Sequence, residues 1–253
     1  MTTTIVIPCY NEAERLDQDA FARFHEAQPN TRLIFVDDGS RDETLRILEE
    51  LAPRVGGAVV ALSPNGGKAE AVRAGVLRAL EDGATTQVGY WDADLATALE
   101  VIPQMEAVLE DDAFDVVIAA RVQLLGRHIE RDPLRHYAGR VFATFASTLL
   151  QMPVYDTQCG AKLFRVNAPM RAAFAEPFVA SWAFDVELLS RLATLRSDAG
   201  LTSVELATYE FPLLRWRDVA GSKVKPSDFP KALGELGRIW LEHRNGYRGP
   251  GAS

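Results

Sequence analysis

The segment Gln87-Val-Gly-Tyr-Trp-Asp92-Ala-Asp94-Leu95 places two carboxylates directly after a short apolar run. If residues 88–91 form a strand, the two-residue period of its side chains puts Asp92 and Asp94 on the same side at its carboxyl end. Hard divalent ions such as Mg²⁺ and Mn²⁺ prefer oxygen ligands, and a diphosphate commonly completes their coordination. The segment therefore indicates a cation site, although an isolated Asp-x-Asp is also typical of a strand end and a helix cap.

The first 120 residues alternate short β-branched runs with amphipathic stretches, which predicts βαβ units and a mostly parallel sheet. Strands are predicted at 5–7, 33–36, 58–62, 88–91 and 114–120. Helices are predicted at 12–27, at 40–51 and at 68–80. The second of these helices would begin with a capping box formed by Ser40 and Glu43 and end at Leu51. Polar residues follow the carboxyl ends of these strands. In open α/β sheets that edge is where ligands bind.

The second part of the chain is less regular, and no internal repeat or low-complexity linker divides it from the first. Helices are predicted from Pro133, capped by Asp132, to about Leu150, and at 183–193 and 228–243. The apolar stripe of the first of these helices, which includes Tyr137, Val141 and Phe145, is predicted to face the core, with a lipid-facing surface as the alternative. We expect a single domain, with residues 246–253 as a flexible tail.

Composition limits the classes of function. The chain has 253 residues, 47% hydrophobic and 25% charged, with a net charge of -8, so non-specific nucleic-acid binding is not expected. Two cysteines, Cys9 and Cys159, are too few for a disulfide framework or a thiolate metal site, and are expected to be small buried side chains. With no basic leader and no apolar run of membrane-spanning length, we expect a cytoplasmic protein, soluble or peripheral at the cytoplasmic membrane face.

Four segments, taken in order, carry a family resemblance. They are Val6-Ile-Pro-Cys-Tyr-Asn-Glu12, Val36-Asp-Asp-Gly-Ser-Arg-Asp42, Asn65-Gly-Gly-Lys68 and Asp92-Ala-Asp-Leu95. Their order and spacing resemble the inverting glycosyltransferases of family 2, which have the GT-A fold. Asp156-Thr-Gln-Cys-Gly-Ala-Lys-Leu-Phe164 and Trp182-Ala-Phe-Asp-Val-Glu-Leu188 resemble the dolichyl-phosphate glucosyltransferase and polyprenyl-phosphate mannosyltransferase branch.

The resemblance implies a GT-A-like, Rossmann-type α/β fold with a mostly parallel sheet flanked by helices. It implies a metal-dependent inverting transferase that takes a sugar from a UDP-glucose or GDP-mannose type donor, with Mg²⁺ or Mn²⁺ as cofactor, and delivers it to a polyprenyl phosphate. Residues 1–120 would bind the nucleotide sugar, and residues 121–245 the acceptor.

The resemblance also assigns residues. The residues that it implies around the nucleotide are Pro8, Tyr10, Glu12, Asp38, Lys68, Asp92 and Ala93. It implies that Asp94, together with Asp92, ligates the metal. Some polyprenyl-phosphate mannosyltransferases follow Asp-Ala-Asp-Leu with a glutamine that helps to hold the metal, whereas this chain has Ala96 and then Thr97. Metal coordination would then depend on Asp94, water and substrate oxygens.

A basic stretch between residues 121 and 140 indicates a site for the acceptor phosphate or the donor phosphate, because arginine binds phosphate oxygens in a planar, bidentate way. By resemblance Arg121 and Arg135 would contact phosphate, with Ser222 and Lys223 also on the acceptor side. The alternative is a solvated basic helix face.

Asp185 has three interpretations. It would be the catalytic base for a hydroxyl acceptor, a residue that shapes the site for a phosphate acceptor, or a helix N-terminal acid. The alternatives to the lipid-phosphate transferase are a family 2 enzyme with a soluble hydroxyl acceptor, a sugar-phosphate nucleotidyltransferase and a non-catalytic nucleotide-binding module.

Overall fold

The computed structural model describes residues 2–130, 133–219 and 228–244. Its strands are β1 (Thr3–Cys9), β2 (Thr31–Asp37), β3 (Ala58–Ala61), β4 (Gln87–Trp91), β5 (Val116–Ala120), β6 (His128–Glu130), β7 (Ala161–Arg165), β8 (Thr208–Pro212) and β9 (Arg215–Arg217). Its helices are α1 (Gln18–Ala27), α2 (Thr44–Arg54), α3 (Lys68–Leu80), α4 (Ile102–Val108), α5 (Pro133–Leu150), α6 (Ala168–Ala175), α7 (Phe184–Asp198) and α8 (Asp228–Arg244), with a 3₁₀ turn at Leu99–Val101.

Seven strands form one sheet in the order β3-β2-β1-β4-β7-β5-β8. The pairs β1–β2, β1–β4, β2–β3 and β5–β8 are parallel, while β7 is antiparallel to both of its neighbours. Strands β6 and β9 form a separate parallel pair. The predicted mostly parallel α/β sheet is therefore confirmed, and the carboxyl ends of β1, β2 and β4 lie at one edge.

The sheet separates two apolar clusters, which follow from the alternation of side chains along each strand. In β1, Ile5 and Ile7 belong to the cluster that contains Phe21 of α1, whereas Val6 belongs to the cluster on the other face. Helix α3 approaches Val6 closely because it has a glycine there: a Cβ on Gly75 would lie 2.3 Å from Val6 Cγ1. This packing holds the strand ends, and the loops that follow them, in a fixed arrangement.

The first helix is shorter than predicted. Helix α1 begins at Gln18 rather than Glu12, because the Asp17 side chain accepts the Ala20 N–H and caps the helix there. The Glu12 N–H donates instead to the Thr44 hydroxyl at 2.7 Å. The first strand-end loop is thus bound to the start of α2 rather than continuing into a helix.

The capping box predicted from Ser40 and Glu43 is wrong. Glu43 occupies the N-cap of α2 and makes no side-chain cap bond, and the Ser40 hydroxyl accepts the N–H of Asn11 at 2.9 Å. Asp42 takes over the local role, since its carboxylate accepts the Thr44 N–H at 3.0 Å. The Ser40 hydroxyl is therefore engaged by the backbone of the loop after β1, and the neighbouring Asp42 bonds the start of α2 in its place.

In the second part of the chain, α5, α7 and α8 confirm the three predicted helices, with α7 extending to Asp198. The cap residue Asp132 and the tail 246–253 lie outside the described residues. Neither β7 nor α6 is predicted from the sequence pattern; the charged Lys162 interrupts the apolar run of β7, yet it is only 1% exposed.

The apolar stripe of α5 is divided between core and surface. Phe142 is buried, but Tyr137, Val141 and Phe145 are exposed, so the prediction that these three residues face the core is wrong. None of the helices in the described part of the chain combines the length and apolar character needed to cross a bilayer.

Candidate active site

A cavity of about 780 Å³ opens at the carboxyl edge of the sheet. Its lining includes nearly all of the predicted site residues that the structure describes: Pro8, Tyr10, Glu12, Asp38, Lys68, Asp92, Ala93, Asp94, Arg121 and Asp185. Arg135 lies on α5, but its side chain is outside the described part of the structure, as are Ser222 and Lys223. The tertiary structure thus brings together residues from loops that are up to 177 positions apart in the sequence.

Asp92 is held from two sides. The Lys68 Nζ lies 2.5 Å from Asp92 Oδ1, and the Asp92 N–H donates to the Gly160 carbonyl at 2.8 Å. A Cβ on Gly160 would lie only 1.7 Å from Asp92 Oδ2, so this position requires glycine. Burial lowers the pKa of Lys68, but the negative charges of Asp92 and Asp185 outweigh it and raise the pKa, keeping the amine protonated.

Asp94 is partly buried and lies close to the negative charge of Asp92. Burial and the charge of Asp92 raise its pKa, while the Ala96 N–H and the positive charges of Lys68 and Arg15 oppose the shift. A divalent cation placed between the two aspartates would remove this repulsion, and oxygen donors suit Mg²⁺ or Mn²⁺. Within the described residues no group of three or more His, Cys, Asp or Glu side chains forms a metal site. The two carboxylates therefore fit a cation that takes its other ligands from substrate and water.

Asp38 forms one wall of the cavity and is fixed by the loop before α3. Its carboxylate accepts bonds from the Asn65 side chain at 2.8 Å, the Gly66 N–H at 2.7 Å and the Gly67 N–H at 2.8 Å. Burial raises the pKa of Asp38, and the two glycine N–H groups partly offset the rise. These contacts fix the orientation of the Asp38 carboxylate in the cavity wall.

Arg15 is a cavity residue that was not predicted from the sequence. Its guanidinium donates to both carboxylate oxygens of Glu12, at 2.9 and 2.7 Å, and its charge acts on Asp94. The i, i+3 spacing of Glu12 and Arg15 was a signal, but such pairs are common on exposed helices and do not indicate a site.

Arg121 lies in the cavity wall with its charge already balanced. Its Nε and Nη2 donate to the Asp156 carboxylate at 2.6 and 2.7 Å, and its guanidinium lies 5.1 Å from the centroid of the Trp216 ring. Burial lowers the pKa of Arg121, but the Asp156 charge raises it by more. A guanidinium engaged in this way has less capacity for a phosphate than the resemblance suggested.

Arg140 differs from Arg121 in this respect. Its guanidinium lies 4.1 Å from the centroid of the Tyr155 ring, and its only polar contact in the described part of the chain is with the Tyr155 carbonyl at 3.4 Å. Glu210 fixes that loop by accepting the N–H groups of Tyr155 and Asp156, each at 2.9 Å. Burial raises the pKa of Glu210 and the positive charge of Arg140 opposes the rise, so Arg140 acts on a nearby carboxylate, although none of the described carboxylates forms a direct ion pair with it.

Asp185 lies in the first turn of α7 and is buried. Its Oδ1 accepts from Lys162 Nζ at 2.6 Å and from the Tyr90 hydroxyl. Burial, followed by the Asp185 charge, raises the pKa of Tyr90 well above its ordinary value, so the phenol stays a hydrogen-bond donor. Both bonds engage the same carboxylate oxygen, so Asp185 is tied to Lys162 in a buried ion pair and to Tyr90.

The fold, and a cavity that combines paired strand-end aspartates with arginines, define the class as a glycosyltransferase with a GT-A-like fold. The family model described as glycosyl transferase family 2 matches residues 4–168, and the chain belongs to this family. Membership confirms the resemblance found in the sequence and favours a transferase over a nucleotidyltransferase or a non-catalytic module.

Similar proteins place the chain in one branch of the family. A dolichyl-phosphate beta-glucosyltransferase of Trichomonas vaginalis is 30% identical over 96% of this chain and 72% of its own length. The human dolichyl-phosphate beta-glucosyltransferase is 28% identical over 88% of this chain and 69% of its own length. Among solved structures, Mycobacterium tuberculosis glucosyl-3-phosphoglycerate synthase with Mn²⁺ and UDP-glucose superposes with a TM-score of 0.67 at 17% identity, covering 98% of this chain and 80% of its own. At that identity the likeness shows the fold alone.

Proposed function

We propose that this protein transfers glucose from UDP-glucose to a polyprenyl phosphate, with inversion at the anomeric carbon. The main support is that one cavity holds both the Asp92–Asp94 pair and the arginines of the second part of the chain. The two relatives with 28–30% identity are named for glucose transfer to dolichyl phosphate, and the solved neighbour was crystallised with UDP-glucose and Mn²⁺.

On the donor side, residues 1–120 bind the nucleotide. Pro8 lies near the end of β1, Tyr10 and Glu12 follow that strand, Asp38 follows β2, and Lys68, Asp92 and Ala93 complete the wall. Asp38 bonds the base, and Lys68 lies near the base and ribose. Asp94, with Asp92, would hold Mg²⁺ or Mn²⁺, and a cation bound there would stabilise the negative charge that develops on the leaving nucleotide.

On the acceptor side, residues 121–245 bind the phosphate of the lipid. Arg140 is the cation best able to accept it, because none of the described carboxylates forms a direct ion pair with its guanidinium, and its charge acts on Glu210 at longer range. Arg121 shapes the wall through Asp156 and contributes its charge at longer range. Arg135, Ser222 and Lys223 stay predicted acceptor contacts.

Asp185 shapes the site rather than acting as a base. A phosphate oxygen is already anionic, so it attacks the anomeric carbon without losing a proton, while the bond from that carbon to the diphosphate breaks and the nucleoside diphosphate leaves. The pairing of Asp185 with Lys162 suits this chemistry, since a hydroxyl acceptor would require a free base.

A polyprenyl phosphate is anchored in a membrane, so the proposal includes a peripheral contact at its cytoplasmic face. The exposed apolar side chains of Tyr137, Val141 and Phe145 support such a contact. They lie on α5, the same helix that carries Arg140 into the cavity.

The test is transfer of labelled sugar by the purified protein with Mn²⁺. UDP-glucose and GDP-mannose are compared as donors, and a short polyprenyl phosphate in detergent and phosphoglyceric acid as acceptors. We expect a glucosyl phosphodiester of the lipid from UDP-glucose alone. Product from phosphoglyceric acid but not from the lipid would overturn the proposal in favour of a hydroxyl acceptor, and product from GDP-mannose alone would overturn the donor assignment.

A further inference from the structure

The loop before α7 reaches the cavity, and none of its own side chains caps the helix. Ala183 occupies the N-cap position of α7 and has no side chain that could accept a hydrogen bond. The first N–H groups of a helix lack partners within the helix, so a buried start needs an acceptor from elsewhere. At the N-cap an acceptor comes from α8: Glu235 Oε2 accepts the N–H of Ala183 at 2.8 Å, and also the N–H of Trp182, the residue before the N-cap, at 2.9 Å.

A second carboxylate holds the preceding residues of the same loop. Glu187, which is paired with Arg191 at 2.6 Å, accepts the N–H groups of Val179 at 3.1 Å and Ala180 at 2.7 Å. The backbone from residue 179 to residue 183 is therefore bonded at four N–H groups by two buried glutamates. Of these two, Glu235 comes from a different helix, which lies beyond the segment matched by the family model.

The loop at residues 179–183 lines the cavity and lies against both α5 and the loop that precedes α3. Ser181 and Trp182 line it, and the Trp182 ring packs edge-on against Phe142 of α5, with centroids 5.1 Å apart. The Ser181 hydroxyl lies 3.5 Å from the position that a Cβ on Gly67 would occupy, so it is next to the loop that precedes α3. The first turn of α7 then carries Asp185 to Lys162.

We propose that Glu235 is a positioning residue for glycosyl transfer: through its bonds to Trp182 and Ala183, helix α8 sets the place of Trp182 and Asp185 in the cavity. Glu235 is absent from the cavity lining, and it is only 8% exposed. The inference depends on the proposed function only in taking this cavity as the site of transfer. Misplacement of a site by about 1 Å commonly costs about 100-fold in rate.

The experiment compares Glu235→Ala, Glu235→Gln and, as a matched control, Glu242→Ala, which removes an exposed carboxylate from the same helix. We expect kcat for transfer from UDP-glucose to polyprenyl phosphate to fall about 10- to 100-fold in Glu235→Ala. The Gln variant keeps an acceptor oxygen and should recover most of the rate. The UDP dissociation constant should change less than about threefold, because most nucleotide contacts lie on the loops after β1, β2 and β4.

Hydrogen exchange of the 179–186 segment, measured without substrates, separates this inference from the proposed function. We expect faster exchange at Trp182 and Ala183 in Glu235→Ala than in Glu242→Ala. Unchanged exchange or unchanged kcat in Glu235→Ala would overturn the positioning role, as would an equal loss of UDP binding and transfer. If the wild-type protein does not use polyprenyl phosphate, the proposed function fails, and the exchange measurement still decides whether Glu235 holds the loop.

Discussion

The two parts of the cavity are built differently. In the first part, residues 2–120, most site residues lie at or just beyond the carboxyl ends of parallel strands, and Asp92 and Asp94 come soon after β4 and both line the cavity. In the second part, residues 121–244, Asp185 and Glu235 are buried and Arg121 is partly buried, and each is bonded to a group from another element. The first part therefore keeps its Lys68–Asp92 pair at the cavity surface, with the side chains 39% and 38% exposed, whereas the second part buries its Lys162–Asp185 pair, with 1% and 5% exposed.

The largest expected effect is on the first part. Asp94→Asn removes one of the two cation ligands, and we expect kcat to fall about 100- to 1000-fold, as for loss of a group that stabilises transition-state charge. The unfolding midpoint should not fall, because Asp94 is held at a cost when no cation is bound. Turnover at saturating Mn²⁺ measures the effect, with the 99% exposed Asp112→Asn as the control. Retained turnover with the same Mn²⁺ dependence would show that Asp94 is not a ligand.

The matching change in the second part should act on stability. Lys162→Met leaves the buried Asp185 without its counter-charge, and we expect the free energy of unfolding to fall by about 3–5 kcal/mol. Urea unfolding at pH 7 measures it, and adding Asp185→Leu should restore most of the loss. Arg46→Met, which breaks an exposed pair with Glu43, should leave the unfolding curve unchanged. If Lys162→Met and Arg46→Met both changed the free energy of unfolding by the same small amount, the distinction between the two parts would be lost.

The two arginines of the second part should differ from each other. Arg140→Gln should raise the KM for polyprenyl phosphate about 10- to 100-fold, the effect of losing a charged hydrogen bond, with UDP binding unchanged. Arg121→Gln should instead lower the unfolding midpoint, since the charged bonds between the Arg121 guanidinium and Asp156 are lost. Steady-state kinetics and thermal unfolding of both variants make the comparison. If Arg121→Gln alone raised the acceptor KM, Arg121 would be the phosphate contact that the resemblance implied, and Arg140 would not.

The smallest effect concerns the two thiols, one in each part. Cys9 is 1% exposed and Cys159 0% exposed, which confirms the prediction that both are buried. Burial raises the pKa of Cys159 to about 11, so at pH 8 about one thiol in a thousand is the reactive thiolate. We expect the native protein to react with Ellman's reagent slowly, and the urea-unfolded protein at once. Fast reaction in Cys9→Ser but not in Cys159→Ser would show that the second part opens more readily.

The sheet and the donor-side loops could be predicted from the sequence because their signals are local. The strands before Asp38 and Asp92 are short apolar runs, and α3 begins at Lys68 as its pattern indicates. Prediction failed where a distant group replaced a local one. Ser40 bonds to Asn11 instead of capping α2, and the apolar stripe of α5 is split between core and surface because α8 and α7 cover only part of the helix.

Neighbouring residues alone were enough to specify the family, the mostly parallel sheet and the strand-end carboxylates, because strand periodicity and the four ordered motifs are local properties of the chain. Which charges are available to a ligand depends instead on the packed fold. Lys162 and Asp185 are 23 residues apart, and Arg121 and Asp156 are 35 apart. No local period brings such residues together; the packing of helices on the sheet does, and it excludes the water that would otherwise solvate each charge separately.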